Sequence, residues 1–197
     1  MNVSVILASP TPASFNHAIA HTAIAAVKGH GHGVWFHDLY AEDFDPVMRV
    51  AELPRDAKLP AAIAHHIEEI CAADGVIVVH PNWWSRPPAM LCGWTDRVLR
   101  AGRAYNFVPD GEGGGKPVGL LQARFGMVFN TANTPQEKEE ALFGDPLEIL
   151  WRKVVFGLCG VTAVYRRNFS PVITSTSDQR EQWLREVEAA VVQHCPG

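Results

Sequence analysis

The chain has 197 residues, 47% of them apolar and 19% charged, with a net charge of −4. Those values suit a single domain over 1–197 with a substantial core, and they leave no basic footprint for nucleic acid. No apolar run approaches the roughly 18 residues that cross a membrane, and Met1-Asn2-Val3 leads into a strand rather than a signal peptide, so a cytoplasmic protein is expected. Cys71, Cys92, Cys159 and Cys195 stand singly, without the C-x-x-C spacing of a zinc site or redox pair.

The first predicted element is a short apolar strand over 3–7. It runs into Ala8-Ser9-Pro10-Thr11-Pro12-Ala13-Ser14-Phe15-Asn16, after which Ala18, Ile19, Thr22, Ala23, Ala26 and Val27 recur at helical spacing. A hydroxyl-rich loop at a helix N-terminus meets unpaired N–H groups and the positive end of the helix dipole, and a phosphate fits there. The plainer alternative is that Ser14 only caps the helix.

Gly29-His30-Gly31-His32-Gly33 follows a helix and precedes a strand at 34–36. A dinucleotide fingerprint needs the reverse order, so this is a turn. Residues 47–60, of mixed charge with Pro54 and Pro60, read as a surface excursion. A helix from Ala61 carries Ile63, Ile67, Ile70 and Cys71 on one face, with His65, His66, Glu68 and Glu69 on a solvated one.

The run Gly75-Val76-Ile77-Val78-Val79 reads as a strand buried on both faces. It leads into His80-Pro81-Asn82-Trp83-Trp84-Ser85-Arg86-Pro87-Pro88, an aromatic loop stiffened by three prolines, and then into a helix marked by Met90, Leu91, Trp94, Val98 and Leu99. Tyr105 and Phe107 follow, and Gly111 to Gly115 form the tip of a flexible excursion without Walker A spacing. The fourth strand spans 124–129 and ends in Asn130-Thr131-Ala132-Asn133-Thr134-Pro135, groups able to hydrogen-bond a planar heterocycle. A helix begins at Phe143, a last strand follows Val161, and an amphipathic helix from about Ser177 ends the pattern.

Five strands alternating with helices predict a doubly wound parallel sheet of order 2-1-3-4-5, with helices on both faces. In such sheets ligands bind outside the carboxyl ends of the strands, where the loops after strands one, three and four converge. Nothing in the chain suggests a catalytic triad, a carboxylate pair or a metal cluster.

The loop and helix start at Pro81, Trp83-Trp84, Pro88-Ala89 and Gly93-Trp94, with Asp96-Arg97-Val98 after them, resemble the NAD(P)H:quinone oxidoreductases of the flavodoxin-like fold. Ser14-Phe15-Asn16 and Gly144-Asp145-Pro146-Leu147 match in the same order. The resemblance implies that Ser9, Ser14, Phe15 and Asn16 hold a flavin phosphate, although the family commonly has histidine at Ser9. It implies that Pro81, Asn82, Trp83, Trp84 and Ser85 flank the flavin ring, and that Asn130, Thr131, Ala132 and Asn133 meet its polar edge. Trp84, Tyr105 and Phe107 inherit the catalytic pocket, the latter two reaching the partner subunit's flavin; alternatively they only anchor their loop.

By the same resemblance the cofactor is FAD, with FMN open, and NADPH or NADH gives hydride to the flavin, which passes it to a quinone in a ping-pong cycle. Arg86, Arg97 and Arg103 are the candidates for a 2′-phosphate. A homodimer with its site at the subunit interface is implied, with Trp94, Trp151 and Phe156 as interface or core residues. The family's tyrosine and histidine after the fourth-strand loop have no counterpart in 136–143. Some small relatives are instead flavin-binding ancillary subunits of potassium efflux systems, and that reading stays open at this level.

Overall fold

The computed structural model describes residues 1–195. Along the chain run β1 (Asn2–Leu7), α1 (Phe15–Gly29), β2 (Gly33–Asp38), α2 (Ala61–Ala72), β3 (Gly75–Pro81) and α3 (Ala89–Val98). They are followed by β4 (Tyr105–Pro109), β5 (Gly115–Gly119), β6 (Phe125–Thr131) and α4 (Gln136–Phe143). Then come α5 (Pro146–Glu148), a π-helical stretch (Ile149–Val155), α6 (Phe156–Cys159), β7 (Val164–Phe169) and α7 (Ser177–His194). No helix among the described residues is long and apolar enough to cross a membrane.

Five strands pair in parallel in the order β2-β1-β3-β6-β7, which is the predicted 2-1-3-4-5 arrangement. Every residue of β6 is buried, as are the first six of β3, which is why those strands read as continuous apolar runs rather than alternating ones. One core lies between the sheet and α1 and α7, where Phe15, Phe169 and Trp183 meet. The other lies under α2, α3 and the π-helical stretch, around Ile67, Leu91, Trp94, Trp151 and Phe156. Trp94, Trp151 and Phe156 are therefore core residues and do not form an interface.

Three features depart from the sequence reading. The supposed flexible excursion is an antiparallel hairpin of β4 and β5, tipped by Gly111 and Gly113 in the left-handed region. The surface stretch over 47–60 contains one buried residue of consequence, Glu52, which takes a two-pronged ion pair from Arg97 (Nε to Oε2 2.9 Å, Nη2 to Oε1 2.5 Å). Such fork-to-fork pairing satisfies both buried ions, and it removes Arg97 from the candidates for a cofactor phosphate. His66 is buried, not solvated: its Nδ1 accepts the Trp94 indole N–H at 3.2 Å.

Candidate functional site

The carboxyl ends of β1, β3 and β6 lie side by side, with Leu7 paired to Val79 and Pro81 to Thr131. Ala8 N–H donates to Val79 O at 2.9 Å, and Asn82 N–H donates to Thr131 O at 2.6 Å, so the three loops leave the sheet at one level. Asn16, in the first turn of α1, exchanges hydrogen bonds with the Thr131 hydroxyl at 3.1 and 3.2 Å. The three predicted loops form one continuous rim.

At the first loop Ser14 occupies the N-cap of α1 with extended backbone, yet its hydroxyl makes no cap bond. Instead Ser14 Oγ lies 2.9 Å from Ser9 Oγ and 2.9 Å from His17 Nδ1, while His17 Nε2 lies 3.1 Å from Asp38 Oδ2. No acidic residue sits in the first turn of α1 to neutralise its free N–H groups. Hydroxyls aimed away from the cap and an open helix terminus are what an anion needs. Phe15 packs its ring against Phe169 and Trp183, so only its backbone N–H serves the loop. His17 and Asp38 were not read as site residues; the spacing of His17 three positions after Ser14 was the available signal.

At the second loop Trp83 and Arg86 exchange backbone hydrogen bonds of 3.0 and 3.1 Å around Trp84 and Ser85, whose φ values are 56° and 54°. Positive φ at both central positions defines a type I′ turn, usually built from Asn and Gly. Here a tryptophan and a serine are forced into it, and Trp84 stands 92% exposed. Strain of this kind aims a side chain. Pro81 O accepts from His80 Nδ1 at 2.9 Å, and His80 Nε2 accepts the Trp151 N–H at 3.0 Å. Burial, helped by the nearby Arg166 charge, pulls the His80 pKa down to about 4, so the ring is neutral and braces the loop from below.

At the third loop the predicted residues divide. Asn130 is fully buried, donating to Asn168 Oδ1 at 2.7 Å and accepting from Arg166 Nε at 3.0 Å, so it supports the rim without facing it. Ala132 has its N–H on Phe169 O and its C=O under Val172 N–H, and Asn133 Oδ1 accepts from Ile173 N–H. Arg166 also donates to Asp145 at 2.6 Å. Burial alone raises the Asp145 pKa, but hydrogen bonds from Arg166 and Gln136 outweigh it and hold the carboxyl below its usual range.

Between the second and third loops opens a cavity of about 600 Å³ lined by Asn82, Trp84, Ser85, Ala132, Asn133 and Glu139, among others. Asn82 Oδ1 is buried there without a hydrogen-bond partner, an acceptor awaiting a donor. Tyr105 and Phe107 are not in this cavity. They stack edge to face at 5.8 Å over a separate hollow of about 540 Å³, beside Thr95, Leu150 and Val154. Within one chain, then, Trp84 and the aromatic pair do not share a pocket.

A third hollow of about 510 Å³ holds His37, Glu42 and His66, whose ligand-type atoms lie within 4.8 Å of one another. Burial, and then the neighbouring His37 and His65, pull the His66 pKa down to about 4. A neutral His66 whose Nδ1 takes the Trp94 proton keeps its own proton on Nε2, the atom turned toward Glu42. The cluster braces α2 against β2 through His37 and Glu69.

The fold and rim together define a flavodoxin-like protein, and the Flavodoxin-like fold family matches residues 1–194. An uncharacterized NAD(P)H oxidoreductase of Haemophilus influenzae is 32% identical over 168 residues, covering 83% of this chain and 81% of that one. A rat NAD(P)H dehydrogenase [quinone] 1 is 33% identical over 122 residues, 52% of this chain and 44% of that one. Among solved structures, an NAD(P)H:quinone oxidoreductase from Methanothermobacter marburgensis superposes with a TM-score of 0.82 at 23% identity, covering 100% of this chain and 98% of that one, a likeness of fold. The chain belongs to the Flavodoxin-like fold family.

Proposed function

We propose that the protein is a flavin-dependent NAD(P)H:quinone oxidoreductase of the cytoplasm. The observation that carries this reading is the continuous rim, with an anion cradle at Ser9, Ser14 and the start of α1, and an indole-walled cavity at Trp84. The residues fit a flavin at both ends: hydroxyls and helix N–H groups suit its phosphate, and the Trp84 indole with the polar side chains of Ser85 and Asn133 in the cavity lining suits its ring. A bound flavin supplies the two-electron hydride relay that side chains lack.

The chain's own part is to bind, orient and exclude water. Ser14 and Ser9 hold the phosphate, Asn16 and Thr131 lock the two ends of the cradle at a fixed distance, and Trp84 walls the ring. FAD is the cofactor in this reading, and NADPH or NADH and then the quinone occupy the same open face in turn, the condition for ping-pong kinetics.

The protein acts as a homodimer in this reading. Phe107 and Val154 are each about half exposed in the hairpin hollow, and a second copy covering them brings Tyr105 and Phe107 to the partner's ring.

Purified protein should be yellow, release FAD on heating, and oxidise NADPH with menadione, giving parallel double-reciprocal lines. Colourless protein that refuses added flavin overturns the proposal.

A further inference from the structure

Glu139 is a carboxylate in an unusual position. It lies in α4, within the charged run Gln136-Glu137-Lys138-Glu139-Glu140, yet it is only 4% exposed. Its Oε1 accepts from the Ser85 hydroxyl and, at 3.4 Å, from Asn82 Nδ2. Both partners are donors, so the oxygen acts as an acceptor, as an ionised carboxylate does. Among the described residues no Lys, Arg or His forms an ion pair with it. Its second oxygen has no hydrogen bond and is not sealed from solvent, so it opens onto the cavity, from which the unpartnered Asn82 Oδ1 is closed off.

A buried charge without a counter-ion is costly unless something donates to it. A carboxylate oxygen open to a cavity walled by Trp84 calls for a flat ligand with an N–H edge. Resting on the flavin reading above, we infer that the second oxygen of Glu139 receives the ring N–H of the flavin's pyrimidine edge, and that the Glu139 charge makes the bound flavin harder to reduce. Hydride addition places negative charge on the ring, and a fixed anion alongside opposes it. The same Ser85 that takes part in the strained turn with Trp84 tethers the carboxylate, so the aromatic wall and the acceptor are set by one loop.

The test compares Glu139→Gln, which keeps size and an acceptor but removes the charge, with Glu139→Asp, which keeps the charge. The readouts are the affinities of apoprotein for oxidised and for reduced flavin, and the midpoint potential by equilibration with redox dyes. Glu139→Gln should favour reduced over oxidised flavin by about tenfold relative to wild type, a positive shift of about 30 mV for a two-electron couple. Glu139→Asp should shift the ratio by less than threefold. Ser85→Ala, which strips a donor from the carboxylate and leaves its charge less compensated, should move the potential the other way. A ratio unchanged within twofold in Glu139→Gln, or a Glu139→Asp shift as large as that of Glu139→Gln, overturns the role of Glu139 while leaving flavin binding intact. A wild-type chain that binds no flavin overturns the functional reading, and this inference with it.

Discussion

Asn16 and Thr131 are 115 residues apart in sequence and joined by a pair of side-chain hydrogen bonds, 3.1 and 3.2 Å, in a buried position. One belongs to the first turn of α1 and the other to the last position of β6. The contact ties the loop after β1 to the loop after β6. Neither end can drift without the other.

Thr131→Val tests that tie. Valine keeps the shape but leaves the buried Asn16 amide without its partner, a loss of about 1–3 kcal/mol. Urea unfolding should show a lower midpoint at unchanged slope, together with weaker flavin binding. A variant with wild-type stability means the Asn16 amide finds another partner.

Ser14→Ala separates cofactor binding from folding. Removing an N-cap hydroxyl ordinarily costs about 1 kcal/mol, but the Ser14 hydroxyl makes no cap bond and points to Ser9 and His17. Stability should fall by less than about 0.5 kcal/mol, while flavin binding weakens at least tenfold in a fluorescence titration. Equal affinity in the two proteins contradicts a phosphate at this loop.

Stability should decline as the solution is acidified from about pH 6.5 to 4. His80 and His66 take up a proton only near 4 when folded, against an ordinary value of 6.5. In that window the unfolded chain binds more protons, so lowering the pH favours unfolding; above 6.5 there is no effect, and below 4 the loss is complete. Each histidine contributes about 3 kcal/mol to the decline. Chemical denaturation of wild type and His80→Asn across this range checks it, and the variant should show a shallower dependence. Parallel curves rule out His80 as a source.

Local patterns carried the architecture. The apolar runs of β3 and β6 and the helical spacing of Ile63, Ile67 and Ile70 depend on nearest neighbours in sequence, so strand order followed from connection rules. The β4–β5 hairpin escaped because β5 is two glycines, a lysine and a proline around one valine, almost wholly exposed, so nothing local marks a partner strand for Tyr105, Phe107 and Val108 of β4. Long-range partners were invisible too. His66 reads as solvated until Trp94 is placed against it, and Glu139 reads as one more charge of a polar helix until Ser85 is brought over it. The three loops of the rim were legible, but their inner layer of Asn130, His80 and Arg166 was not, since each is fixed by contacts made across strands.

Gly93 should tolerate no side chain. A Cβ there would stand 2.1 Å from Pro46 O and 2.4 Å from Pro46 Cβ, on the segment that Arg97 also pins through Asp45. Alanine gains about 1 kcal/mol of helix propensity, but forcing the Pro46 segment outward costs about 1–3 kcal/mol and disturbs the buried Arg97–Glu52 pair. Gly93→Ala should melt several degrees below wild type. A higher melting temperature means that segment moves freely.

Trp84→Gly sets strain against function. The residue sits at φ 56° and is 92% exposed, so its indole contributes almost no burial energy to the free protein. Holding a side chain in that region costs about 1–3 kcal/mol, and glycine returns about 0.5–1 kcal/mol of that through the greater freedom of its unfolded chain. The variant should therefore be more stable by about 1 kcal/mol, in line with relief at a strained site, yet bind flavin more weakly and turn over quinone more slowly. Thermal melting and flavin titration on the same preparation decide it. If stability rises and flavin affinity does not change, the strain at Trp84 serves something other than the ring wall.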